Sequence, residues 1–143
     1  MLIQVFQKEH AVGVNRLIRN VLGYQESLVE QGIKRLERIQ NHEDYHTIVA
    51  IEEGDVIGFI GLWKGMAYEF EEEYIRVVAL AVDQAYQKRG IGTKLLKVAE
   101  QYALEQGIQI ISLNSGLERE EAHRFYERKG YRKKGYGFTK RIN

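Results

Sequence analysis

The stretch from Tyr74 to Gly107 constrains the fold more than any other. Tyr74-Ile75-Arg76-Val77-Val78-Ala79-Leu80-Ala81-Val82 is nearly continuous in apolar residues, as expected of a strand covered on both faces. Ile91, Leu95, Val98, Ala99 and Tyr102 then recur at helical spacing up to Gly107. Between the two lies Gln87-Lys88-Arg89-Gly90-Ile91-Gly92-Thr93, a turn with two glycines. A buried strand that feeds a helix this way needs a sheet with helices packed on it, which is the α/β class.

The flanking segments extend that expectation. Leu2, Val5 and Phe6 start a short strand, and Val14, Leu17, Ile18, Val21 and Leu22 form a helical stripe that stops at Gly23. Val29, Ile33 and Leu36 place a second helix over about residues 26–40. The β-branched run Thr47–Ile51, the turn Glu53-Gly54-Asp55 and the run Val56–Trp63 read as a hairpin. Ile108–Leu113 reads as a further central strand, and Ala122, Phe125 and Tyr126 lie on a charged helix over about residues 118–129. Tyr131–Ile142 is expected to close the chain as a strand or hairpin. One hairpin followed by β-α-β crossovers predicts a mixed sheet in one domain spanning residues 1–143.

Composition excludes several classes of function. Lys plus Arg is 21 against 20 Asp plus Glu, a formal charge of +1, so no global polyanion-binding charge is present. The absence of cysteine excludes disulfides, thiolate metal sites and a cysteine nucleophile, and fits a reducing cytoplasm. No basic segment followed by an apolar one opens the chain, so no signal peptide is expected. The longest apolar run, Val56–Trp63, is far shorter than the roughly 20 residues that span a bilayer, and no membrane partner is expected.

The Gln87–Thr93 turn carries the chemistry. Two glycines let backbone N–H groups approach a ligand, the helix that follows adds its positive dipole end, and Lys88 and Arg89 add charge at the mouth. The segment is neither a P-loop nor a G-x-G-x-x-G dinucleotide turn, because Leu95 stands at the third glycine position. It matches Q/R-x-x-G-x-G/A. With Leu80-Ala81-Val82 before it, and with Ala122-His123-Arg124-Phe125-Tyr126-Glu127-Arg128-Lys129-Gly130-Tyr131 resembling a late A-x-x-F/L-Y-x-x-x-G-F/Y motif, the chain resembles the GNAT superfamily of acetyl-CoA-dependent N-acetyltransferases. The resemblance covers almost the whole chain.

That resemblance implies a mostly antiparallel sheet of six or seven strands with about four helices, its central strands splayed to admit acetyl-CoA. It implies a cofactor site at Leu80, Ala81, Val82, Gln87, Lys88, Arg89, Gly90, Ile91, Gly92 and Thr93, with Asn114 and Tyr126 also beside the cofactor. A backbone N–H at the strand end, that of Val82, is the candidate for polarising the thioester oxygen. Tyr126 is the candidate acid for the leaving thiolate, since a phenol with an ordinary pKa near 10 can protonate it. The position seven residues before Tyr126, where many members carry Asn, is Arg119, so no contact is carried over for it.

The acidic segment Tyr68–Tyr74 suits attraction of a cationic amine, and Glu73 within it is the candidate base acting through water. Tyr24, Glu26, Trp63 and Tyr68 are the candidate acceptor-site residues. The expected reaction is direct acetyl transfer to a primary amine of a small molecule. The texture resembles members that acetylate aminoalkylphosphonates and aminoglycosides. The alternatives are a protein N-terminal or lysine acetyltransferase and a non-catalytic acyl-CoA-binding module.

Two other patterns weigh less. His42-Glu43-Asp44-Tyr45-His46 spells H-E-x-x-H, but it runs into the Thr47–Ile51 strand and not along a helix, so no metal is expected. Residues 118–143 hold nine Lys/Arg against four Asp/Glu, and Tyr131–Tyr136 interleaves basic and aromatic residues. A solvated rim is the preferred reading there, with no nucleic-acid partner. Exposed strand edges are compatible with a homodimer.

Overall fold

The computed structural model describes residues 1–142. They group into two compact units, residues 1–112 and the residues from Leu113 onward. The strands are β1 (Leu2–Val5), β2 (Tyr45–Glu52), β3 (Asp55–Gly65), β4 (Tyr74–Val82) and β5 (Ile111–Leu113). The helices are α1 (Ala11–Asn20), α2 (Val29–Gln40), α3 (Ile91–Glu105) and α4 (Glu120–Arg128). The sheet order is β1-β2-β3-β4-β5, and the first three pairings are antiparallel. This is the expected mixed, mostly antiparallel α/β fold with four helices. It has five strands among the described residues where six or seven were expected. The difference lies at the end of the chain: no strand forms over residues 131–142. Its basic side chains there are exposed, and such a segment has little apolar surface to bury in a ladder.

In the first unit helices cover both faces of the sheet. On one face Val14 and Leu17 of α1 and Leu36 of α2 bury against Val49, Phe59 and Ala81. On the other, Leu95, Leu96 and Ala99 of α3 are buried, and a Cβ at Gly58 in β3 would meet Leu95 and Ile91 at 3.3 and 3.4 Å. The bare backbone at Gly58 thus lets the start of α3 settle close to the sheet. α2 is joined to α1 by Asn15, which is 4% exposed and donates its amide Nδ2 to the Val29 carbonyl at 3.2 Å.

The β3–β4 ladder is not regular. Gly61 pairs with Ala79 but Leu62 pairs with Val77, so Val78 is an extra residue, half-exposed, in a β-bulge. The bulge sits four residues before the end of β4 at Val82. A second irregularity falls at Ile57 in β3, opposite the Ala50/Ile51 step of β2.

α1 lies against β3 without clearance. A Cβ at Gly13 would come within 2.7 Å of the Val56 Cβ, an atom fixed by its own backbone. Gly13→Ala gains about 1 kcal/mol of helix propensity but must push α1 off the sheet, which costs about 1–3 kcal/mol. A net loss of roughly 1 kcal/mol is expected in urea unfolding. An equal or higher midpoint would show that α1 moves freely on β3.

Candidate active site

The candidate cofactor residues from Leu80 to Thr93 form one continuous path: the end of β4, the segment 83–90 and the first turn of α3. Its geometry follows from the ladder. Asp83 N donates to the Ile57 carbonyl at 2.7 Å, so the next residue back, Val82, is a non-hydrogen-bonded position opposite Gly58. By the same alternation Ala81 faces Phe59, whereas Leu80 and Val82 turn their N–H and C=O groups to the edge of β4 away from β3. Ile75 shows what such an outward amide does where a neighbour is present: its N–H donates to the Ile110 carbonyl at 2.9 Å. β5 has only three residues against the nine of β4, too few to accompany it to Val82.

Beyond Val82 the chain is tied back on itself. The Asp83 carboxylate accepts from Ala85 N at 2.9 Å, capping the short turn Gln84–Tyr86. The Gln87 side-chain Nε2 donates to the Val82 carbonyl at 3.0 Å. Lys88 then takes a left-handed conformation with φ +66°, unusual for a residue with a Cβ, and Gly90 takes φ +81° as the N-cap of α3. Nothing lies within 4 Å of where a Gly90 Cβ would be. The first helical bond is from Lys94 N to the Gly90 carbonyl at 3.1 Å, so the N–H groups of Ile91, Gly92 and Thr93 precede the α-helical ladder. Lys88 and Arg89 are exposed, and the Arg89 guanidinium lies 5.1 Å from the centre of the Tyr86 ring. The whole is an open cradle of amides at a helix N-terminus with two cations beside it, suited to a phosphate-bearing ligand.

The acceptor candidates lie elsewhere. Trp63, near the end of β3, meets the Tyr74 ring edge-on at 6.0 Å, and Phe70 lies 5.4 Å from Tyr74. Glu73 and Tyr68 are exposed in the connection before β4. These groups sit at the Tyr74 end of β4, about 26 Å along the strand from Val82 at roughly 3.3 Å per residue. Tyr24 and Glu26 are exposed in the α1–α2 connection. In the second unit, Tyr126 packs edge-on against Phe125 and Tyr131, with ring centres 5.3 and 6.1 Å away. Burial pushes its phenol above the ordinary value of 10, partly offset by Arg119, so it keeps its proton at neutral pH. Asn114 follows β5 directly, and a Cβ on Gly137 would stand 3.3 Å from its amide nitrogen.

The H-E-x-x-H pattern is split between elements. His42 lies before β2, edge-on to Tyr45, whereas His46 is in β2 with its ring stacked at 4.0 Å on Tyr102 of α3. Burial lowers the His46 pKa and favours the neutral ring.

Several residues of the path were not singled out from sequence. Asp83 had a local signal, an Asp heading a turn. Val78 had none, because a bulge depends on the partner strand. Arg16 had none either: on α1, its guanidinium donates to Asp83 Oδ2 at 3.0 Å and to the Val56 carbonyl at 2.9 Å, partners 67 and 40 residues away.

In an α/β protein, a strand that presents outward amides and then an open cradle at the head of a helix is suited to an extended, phosphate-bearing ligand. Comparison with known proteins narrows the class. Residues 17–131 match the Acetyltransferase (GNAT) family, and the chain belongs to that family. An aminoalkylphosphonate N-acetyltransferase of Salmonella typhimurium is 31% identical over 97 residues, 68% of this chain and 63% of that protein, so the match spans less than two thirds of the relative. An uncharacterized N-acetyltransferase of Bacillus subtilis is 28% identical over 80% of each chain. The crystal structure of a GNAT family acetyltransferase from Staphylococcus aureus superposes with a TM-score of 0.80 at 31% identity, covering 99% of this chain and 98% of that one.

Asp83 gives a pH signature. The bond from Ala85 N and the Arg16 guanidinium hold its carboxyl below the ordinary 3.8. The unfolded chain therefore takes up the proton first, and the stabilisation present above about pH 4 is lost as pH falls through the lower native value. Thermal midpoints measured from pH 6 down to pH 2 should fall less steeply for Asp83→Asn than for the native chain. Parallel curves would remove Asp83 as a contributor.

Proposed function

We propose that the protein is an N-acetyltransferase that transfers acetyl from acetyl-CoA directly to a primary amine of a small molecule. The observation that carries this reading is the Leu80–Thr93 path, with outward amides at Leu80 and Val82 leading to the cradle at Gly90–Thr93. Acetyl-CoA has the matching parts: amides along its pantetheine arm and a pyrophosphate further on. The residues present fit it. The cradle would hold the pyrophosphate with the N–H groups of Ile91, Gly92 and Thr93, with Lys88 and Arg89 adding charge, and Leu80 and Val82 would pair with the arm.

When bound, acetyl-CoA supplies an acetyl thioester as the electrophile. The chain's own groups account for the rest. An outward backbone N–H of β4, that of Val82 in this reading, donates to the carbonyl oxygen as it gains charge. Tyr126, assigned from its motif and its retained proton, gives its phenolic proton to the departing sulfur. The acidic segment of residues 69–73 lowers the energy of an approaching ammonium, but Glu73, about 26 Å along β4 from Val82, is too far away to take the proton of an amine attacking there through a water. No cysteine exists to carry the acetyl group, so the amine attacks directly.

An aminoalkylphosphonate-like acceptor is favoured among small amines by the named relative from Salmonella typhimurium. This proposal places the whole chain in one catalytic domain and in the cytoplasm, where acetyl-CoA is made available.

Release of free CoA thiol from acetyl-CoA across a panel of small amines tests the reaction, and any thiol detected comes from CoA alone. No release with any amine, in a protein whose melting temperature rises with CoA, would identify a binding module instead. Tyr126→Phe should lower kcat by about 10- to 1,000-fold and leave the acetyl-CoA KM within about twofold. Full activity in that variant would remove Tyr126 as the acid.

A further inference from the structure

Several of the bonds that fix the start of the cofactor path converge on one residue, Asp83. Its N–H closes the β3–β4 ladder on the Ile57 carbonyl at 2.7 Å, and one carboxylate oxygen caps the turn at Ala85 N. The other oxygen takes the Arg16 guanidinium at 3.0 Å. The same guanidinium uses its second terminal nitrogen on the Val56 carbonyl at 2.9 Å, one residue before the irregularity at Ile57. One planar cation on α1 therefore spans the start of β3 and the exit of β4. Four residues later Gln87 folds back to Val82. Segment 83–87 is thus anchored at both ends before the chain enters the left-handed positions at Lys88 and Gly90.

We propose that Arg16 is a positioning residue for cofactor binding, acting through Asp83 to hold the Gln87–Thr93 cradle in register with the outward amides of β4. The inference rests on the acetyl-CoA reading above. It goes beyond it in giving α1, which contributes no residue to the cradle itself, a part in setting affinity for the nucleotide.

The physical argument is geometric. An anion cradle gains affinity only if its N–H groups are aimed before the ligand arrives, since ordering them afterwards costs binding energy. Lys88 at φ +66° is a position the chain does not choose unaided, so it persists only while its flanks are fixed. A guanidinium is suited to the task because its donors are set in a rigid fork and reach two acceptors at once. A lysine has one charged nitrogen and cannot span both with the same geometry.

The test uses CoA itself as the probe, with its Kd measured by isothermal titration on the full chain. Arg16→Met is expected to weaken CoA binding by about tenfold, Arg16→Lys by a smaller factor, and Asp83→Asn by an amount between them. The double variant Arg16→Met/Asp83→Asn should be little worse than Arg16→Met alone, because the two side chains act as one device. Ile48→Val, a core change in β2, should lower the melting temperature and leave the Kd unchanged, which separates positioning from general loss of stability.

A folded Arg16→Met protein that binds CoA as tightly as the native chain overturns the proposal. If Arg16→Met does not fold, native affinity in both Arg16→Lys and Asp83→Asn overturns it equally. A native chain that fails to bind CoA overturns the acetyl-CoA reading itself, and this inference with it.

Discussion

The hydrogen bond from Asp83 N to the Ile57 carbonyl sets the phase of the molecule's most important strand. Because an antiparallel ladder alternates, fixing one rung fixes which amides face the partner strand and which face away. With Asp83 paired inward, Ala81 is inward too, and Leu80 and Val82 point outward. A slip of one residue would turn the outward amides into ladder bonds and leave the edge with the wrong groups. The clamp around Asp83 is concentrated where such a slip would begin. The cradle at Gly90 would then open onto a strand with nothing to offer a ligand.

The fold and the site differ in how much of them could be read from residue order. Strand and helix periodicities in the Tyr74–Gly107 stretch carry their own signal, since both are set by what lies within a few residues. The cradle is equally local: glycines at 90 and 92, a preceding Gln and a following apolar helix. The final strand expected over residues 131–142 failed for a physical reason, because alternation in a highly basic stretch is weak without a partner to bury against. The second helix begins at Val29 and not near residue 26, where Arg19 and Arg35 instead hold the connection through Ser27. Arg16 was illegible because its partners are assembled only by the tertiary fold.

Charge is distributed in a way that the near-neutral total conceals. Within the first unit the acidic residues 69–73 and the cations Lys88 and Arg89 stand at opposite ends of β4. Potentials of opposite sign thus stand at the two ends of one strand. Screening by salt weakens the field at both ends together.

The bulge at Val78 divides β4 into two strands of opposite phase. In an unbroken strand Ile75, Val77, Ala79 and Ala81 would share one face of the sheet. With one extra residue inserted, Val77 stands beside Leu62 while Ala79 stands beside Gly61, on the other face. Accordingly Ala79 and Ala81 join the core beneath α1, and Ile75 and Val77 are buried outside that cluster. A single strand thereby serves two cores and lets its two halves be altered independently. Substitutions near Tyr74 can reshape one end of the strand without disturbing the amide phase that Asp83 sets at the other.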